Sequence, residues 1–257
     1  MKKTGQRKET IHISGINPVR EALLSKSGQP EELVLARTDD RGLELEELAA
    51  ARGVPVRRTG RGELNVLAGH AHHQGAVLGI AQYPYADLDV LLQKPLSDRD
   101  PLLALDSIQD PQNLGAILRS ACFLGAKGVI IPMDRSAPVS ATVMKIAAGA
   151  TSYIPVARVT NLSRALKKLK EAGYWVAGLE VAGNLTIYEA DLTVPLCLVV
   201  GNEQKGMRPL IRSVCDLLVQ IPATGPLQSL NAATAAAVGL AEIQRQRLMA
   251  AKGLGNC

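Results

Sequence analysis

Beyond residue 101 the chain alternates short apolar runs with helical stretches, and little separates them. The runs are LLALD, GVIIP, IPVARV, WVAGLE, PLCLVVG and LLVQIP. Runs this short, bounded by Gly, Pro and Asp, read as buried strands. Between them lie QNLGAILRSACFLG, SATVMKIAAGAT, NLSRALKKLKEAG and RPLIRSVC, and an Ala-rich stretch from about Asn231 to Ala250 closes the series. NLSRALKKLKEAG places Leu162, Ala165, Leu166 and Leu169 on one helical face. Regular alternation of this kind predicts a parallel sheet covered by helices.

The first third of the chain follows a looser version of the same pattern. HISGINPVREALLSKSGQPEELVLA reads as strand, helix, turn and strand, with Asn17 before Pro18 marking the helix start. LELEELAAARG is a helix ended by Gly53, VPVRRTG a short strand, RGELNVLAG a short helix and GAVLGIA a strand. A Pro-rich, acidic stretch from residue 82 to 101 reads as a linker around a short helix. The expected organisation is therefore a basic tail over 1–9, a small α/β domain over 10–84, a linker over 85–99 and a larger α/β domain over 100–257.

Composition narrows the function classes. The net charge of +5, most of it beyond residue 96, suits a polyanionic partner but does not require one. One Trp and one Phe in 257 residues argue against an aromatic platform for stacking bases. Four cysteines with no C-x-x-C pair argue for a reducing compartment and against a zinc site. His70, His72 and His73 in GHAHHQG have no ligand partners at zinc-finger spacing and read as a solvated loop. The basic opening MKKTGQRKE lacks an apolar stretch behind it, and no run reaches membrane-spanning length. A cytoplasmic protein without metal is expected.

Three common α/β signatures are missing. There is no G-x-G-x-x-G. GNEQKGMR has the glycine spacing of a phosphate loop at Gly201 and Gly206, but Met207 and Arg208 stand where Lys and a hydroxyl residue belong. No G-x-S-x-G elbow occurs.

What the chain does carry is three polar strand ends. LDSIQDPQNLGAILRSACFLG clusters Asp106, Asp110, Gln112 and Asn113 at a helix mouth, with Arg119 two turns in. A plain cap needs only one such group. LVVGNEQKGMRPLI sets Glu203 just past an apolar strand, where open α/β sheets bind ligands. VQIPATGPLQSLNAATAAAVGL ends a strand in a Pro-Gly loop, and Ser229 or Asn231 is placed to cap the small-residue helix that follows.

Taken together, D-x-x-x-D-P-x-N-x-G-x-x-x-R, G-x-E-x-x-G and I-P…S-L-N resemble the three motifs of SpoU-type (TrmH-like) RNA ribose 2′-O-methyltransferases. They occur in the family's order over most of 102–245. The stretch from ISGINPVREAL to HQGAVLGIA also resembles the ribosomal-protein-L30e-like substrate-binding domain found in many members. The subgroup matched best methylates a guanosine of 23S ribosomal RNA. The resemblance implies a SPOUT fold, an α/β sheet with a deep trefoil knot, acting as a homodimer. It further implies S-adenosylmethionine as cofactor, held mainly by backbone groups that map onto Gly201, Ile221 and Leu230. Asn113, Arg119, Glu203 and Asn231 map onto the catalytic positions. The family commonly continues its third motif as S-L-N-V-S, whereas Ala232 and Ala233 follow Asn231 here, so the second hydroxyl is absent. Two other readings are a tRNA ribose methyltransferase and a non-catalytic RNA-binding ribosome-assembly factor.

Overall fold

A computed structural model describes residues 10–24, 30–80, 83–93, 100–227 and 229–252. The expected basic tail over 1–9 lies outside them. The chain forms two compact units: the first comprises Met1–Pro84 and Val139–Tyr153, the second Tyr85–Pro138 and Ile154–Cys257.

In the first unit, β1 (Ile11–Ser14), β2 (Pro30–Leu35), β3 (Val56–Arg58) and β4 (Ala76–Ile80) form a four-stranded sheet ordered β1-β4-β2-β3. β4 runs antiparallel to both neighbours, and β2 and β3 are parallel. Helices α1 (Ile16–Leu24), α2 (Asp40–Ala51) and α3 (Arg61–Ala68) bury Val19, Leu23, Leu45, Ala49 and Leu64. α1 starts two residues before the predicted Pro18, because the Gln74 side chain accepts the Ile16 N–H at 3.1 Å and so supplies a cap from across the unit. A further helix, α6 (Ala141–Ile146), packs on β1. It is half the length expected for SATVMKIAAGAT, because Ala148 and Gly149 turn left-handed (φ 49° and 93°) and the chain closes in a short 3₁₀ turn at Ala150–Ser152.

The GHAHHQG loop is the expected solvated turn only in part: His72 is exposed, but His73 is buried and His70 half-buried. His73 is 2% exposed, bonded to Asn65 Oδ1 at 2.9 Å and accepting the Gly75 N–H at 3.0 Å. His70 bonds the Ser14 hydroxyl at 3.0 Å. Burial holds both imidazoles below their ordinary pKa, with Lys145 adding to the effect at His70 and Arg61 at His73. A histidine depressed by folding contributes stability that is complete above its unfolded value, about 6.5, and is lost as pH falls through the folded value. The melting temperature is therefore expected to drop as pH is lowered from about 6.5 towards 5, and His73→Gln should flatten that slope in thermal melts across the same range.

The second unit is built on a seven-stranded parallel sheet. Its strands are β5 (Leu102–Leu105), β6 (Gly128–Pro132), β7 (Val156–Val159), β8 (Trp175–Leu179), β9 (Leu185–Thr186), β10 (Leu196–Val200) and β11 (Leu217–Gln220), ordered β7-β6-β5-β10-β8-β11-β9. All but the two-residue edge strand β9 coincide with predicted runs. One face carries α4 (Leu88–Leu92), α7 (Leu162–Glu171) and α8 (Pro209–Arg212), whose Leu91, Leu166, Leu169 and Ile211 pack on Leu102, Ala104, Cys197 and Val199. The opposite face carries α5 (Pro111–Phe123) and α9 (Ala232–Ala251), which pack along each other. Gly239 lets α9 lie close to β10: a Cβ there would stand 2.7 Å from Leu198.

Candidate active site

The polar residues gather at the C-terminal ends of the central strands, where the chain leaves β5, β10 and β11. Asp110 caps α5 by accepting the Gln112 N–H at 2.9 Å, and Pro111 occupies the first turn, where its missing N–H costs nothing. Asn231 caps α9 in the same way, accepting the Ala233 N–H at 2.8 Å and that of Thr234 at 3.4 Å. One cap is therefore accounted for at each helix, and the remaining polar groups serve something else.

They connect the three motifs. Asn113 donates its side-chain amide to Glu203, and its carbonyl oxygen accepts from Asn231 Nδ2 at 2.8 Å. Residues 90 and 118 positions apart thus form one hydrogen-bonded chain, Glu203–Asn113–Asn231. The Asn231 side chain is held at both ends, its oxygen by the helix and its amide nitrogen by one bond to Asn113.

The loop after β10 is held by a second set of bonds. Asn202 Oδ1 accepts the N–H groups of Gln204 and Lys205, and Asn202 Nδ2 donates to the Ser107 carbonyl at 3.1 Å. Asp106, fully buried, accepts the Arg208 N–H at 2.8 Å and pairs with its guanidinium at 2.7 Å. Sequence reading gave Arg208 no role; nothing in the local pattern marks a partner 102 positions away. Removing one member of a fully buried pair costs about 3–5 kcal/mol. Because the Arg208 side chain is 37% exposed, Asp106→Ala is expected to cost about 2 kcal/mol, roughly 4–8 °C in melting temperature for a chain of this size. Thermal denaturation checks this.

Beside this loop lies a cavity of about 710 Å³, lined among others by Gly201, Glu203, Ile221, Leu227 and Leu230. Leu179, Val200, Ile221 and Leu230 give it apolar walls, while Glu180 and Glu203 add carboxylates. Among the described residues, 222–227 are exposed and make no backbone–backbone hydrogen bond, so their peptide groups are open to a ligand or to water. Gly201 is forced by space: a Cβ would stand 2.4 Å from the Gly206 carbonyl carbon and the Met207 nitrogen. A cavity of this size with free peptide groups, apolar walls and acidic oxygens matches an adenosine carrying a cationic side chain. The residues present therefore fit S-adenosylmethionine.

Arg119 stands apart. It lies six residues beyond Asn113 on α5, exposed, outside the lining of this cavity and without a hydrogen bond or ion pair among the described residues. The structure thus brings Asn113, Glu203 and Asn231 into direct contact and Gly201, Glu203, Ile221 and Leu230 around one cavity, leaving Arg119 free at the surface.

Comparison with known proteins bears on what this arrangement does. Residues 100–241 match the model of the SpoU rRNA methylase family, and residues 12–86 that of the RNA 2′-O ribose methyltransferase substrate-binding domain. The chain belongs to the SpoU rRNA methylase family. It is 44% identical over 243 residues to a Mycolicibacterium smegmatis protein named an uncharacterized tRNA/rRNA methyltransferase, covering 93% of this chain and 77% of that one. Among solved structures, it is similar to the SpoU methyltransferase AviRb of Streptomyces viridochromogenes (TM-score 0.82, 25% identity, 94% of this chain and 91% of that one). It is also similar to an AdoMet-bound rRNA methyltransferase of Sinorhizobium meliloti (TM-score 0.80, 25% identity, 92% and 87%). As a SpoU protein the chain is an RNA methyltransferase that uses S-adenosylmethionine, with the α/β-knot fold of the SPOUT enzymes behind an N-terminal substrate-binding domain. No helix among the described residues is long and apolar enough to cross a membrane.

Proposed function

We propose that the chain methylates a ribose 2′-hydroxyl in ribosomal RNA, a guanosine of 23S rRNA, acting as a cytoplasmic homodimer. The observation that carries the catalytic reading is the Glu203–Asn113–Asn231 chain at the rim of the cavity, which draws the three motifs into one place. A binding protein with decayed motifs would have no need to keep it closed. Ribosomal RNA is favoured because the similarity to the Sinorhizobium protein, titled an rRNA methyltransferase, extends over both units. Phe123 at the end of α5 and Leu248 and Met249 near the end of α9 expose apolar surface, which suits pairing of two copies through these helices.

S-adenosylmethionine supplies an electrophilic sulfonium methyl group. The protein must activate the receiving hydroxyl, a poor nucleophile while neutral. A guanidinium is a poor base, so Arg119 is given another role: it holds the phosphate beside the target ribose and stabilises the negative charge as it develops on the 2′-oxygen. The hydroxyl proton passes to solvent water as the oxygen takes the methyl group, leaving S-adenosylhomocysteine as the second product. Asn113 orients the ribose, and Glu203 and Asn231 fix its amide so that it cannot flip. Gly201, Ile221 and Leu230 hold the cofactor by backbone contacts. Ala232 and Ala233, in place of the usual residues, remove a hydroxyl but no backbone group.

Mapping 2′-O-methyl sites in ribosomal and transfer RNA, with and without the protein, tests this. One new site in 23S rRNA at a guanosine is expected. A new site in tRNA alone replaces the rRNA assignment, and cofactor binding without methylation of either RNA ends the catalytic reading.

A further inference from the structure

A second cavity opens in the catalytic unit, on the other side of the sheet's centre. It measures about 500 Å³, within the range of ligand sites, and lies beyond the ends of β6 and β7. Its lining includes Asp134, Arg135, Thr160, Ser163 and Arg208. The first cavity sits beyond β8, β10 and β11, so β5 with Asp106 separates the two. One segment serves both: residues 201–206 wall the first cavity, and Arg208, Leu210 and Ile211 wall the second.

Several groups here are unused by the fold. Ser163 is only 7% exposed, lines the cavity and makes no hydrogen bond among the described residues. Its oxygen is not sealed off: the hydroxyl opens into the cavity, where a ligand can hydrogen-bond to it. The N–H groups of Leu162 and Ser163, in the first turn of α7, also have no partner there, since Asn161 Oδ1 takes only that of Arg164. Arg135 is unpaired among the described residues and sits at φ 60°, a conformation uncommon outside glycine. The charges are mixed rather than cationic. Arg208 is balanced by Asp106 behind it, and Arg135 has the Asp134 carboxylate beside it on the same rim.

This combination does not describe a simple anion hole. The free N–H groups and hydroxyl at the start of α7 suit one phosphate. Arg135, Asp134 and Thr160 present donors and acceptors together, which is what the edge of a nucleobase requires. We infer that the second cavity receives one nucleotide of the RNA strand adjoining the reacting ribose, its phosphate at the start of α7 and its base edge against Asp134 and Arg135. The inference rests on RNA being the substrate. It deepens the proposed reaction by giving the catalytic unit its own contact with the strand.

The test uses the full chain with S-adenosylhomocysteine filling the first cavity. It is titrated calorimetrically with GMP, AMP, CMP, UMP and inorganic phosphate. At least one nucleotide is expected to bind saturably and ~10-fold or more tighter than phosphate, with Arg135→Ala and the near-isosteric Ser163→Ala each weakening it several-fold. Affinity for S-adenosylhomocysteine should not change in either variant, and the KM for RNA should rise with Arg135→Ala. Absence of nucleotide binding, equal binding of phosphate, or unchanged affinity in both variants would each overturn the inference. A protein that binds nucleotide through Arg135 yet methylates no RNA would count against the proposed reaction and leave the cavity's assignment standing.

Discussion

Arg119→Ala is expected to lower the rate of RNA methylation by ~10²–10³-fold, the effect of removing a charge-stabilising donor from a developing oxyanion. Its affinity for S-adenosylmethionine and its melting temperature should stay at the parent values. The structure makes this separation sharp. The side chain is exposed, bonds to nothing among the described residues and lies outside the lining of the cofactor cavity. Neither folding nor that cavity depends on it. Arg119→Lys keeps the charge but loses the two-pronged fork, so it should recover only part of the rate. Single-turnover kinetics beside calorimetry with the cofactor would decide the matter. Weakened cofactor binding with a normal chemical step would remove Arg119 from the role proposed for it.

Gly201→Ala should do the opposite, abolishing cofactor binding at its source. The added methyl would sit 2.4 Å from two backbone atoms of Gly206 and Met207, which cannot swing aside as a side chain would. Either the loop shifts or the strand end does. Overpacking of this kind costs about 1–3 kcal/mol in stability, and the displaced wall is the one facing the ligand. A loss of cofactor affinity beyond ~100-fold, about 2.7 kcal/mol, is expected by calorimetry. Gly225 provides the control. It lines the same cavity, but a Cβ there meets nothing within 4 Å, so Gly225→Ala should bind the cofactor much as the parent does.

Local pattern carried the catalytic unit further than it carried the substrate-binding one. Strands β5 to β8, β10 and β11 are short apolar runs between breakers, and burial on both faces leaves them little else to be. Leu162, Ala165, Leu166 and Leu169 are all buried, as the period of α7 requires. Polar residues in excess of any capping need marked the three strand ends. What periodicity could not convey was pairing across the chain. The Asp106–Arg208 bond joins residues 102 apart, and β9 is two residues long with no pattern of its own. The histidine loop misled for a related reason. Imidazoles read as polar, yet His73 finds both its partners within the protein, the exposed Asn65 and the buried Gly75, and is itself buried. The break at Ala148 and Gly149 interrupts a stretch rich in good helix formers, and Gly149 lies where a Cβ would stand 2.9 Å from the Glu21 side chain, so packing within the first unit overrides propensity.

That break also bears on how the molecule can be taken apart. Val139–Tyr153 belongs to the first unit although it is threaded between β6 and β7 of the second, so α6 reaches β1 from far along the chain. A peptide ending at Pro84 carries every strand of its sheet but leaves one flank of β1 uncovered. Proteolysis at a single site cannot release either unit intact, and grafting the first unit onto another enzyme demands three splice points.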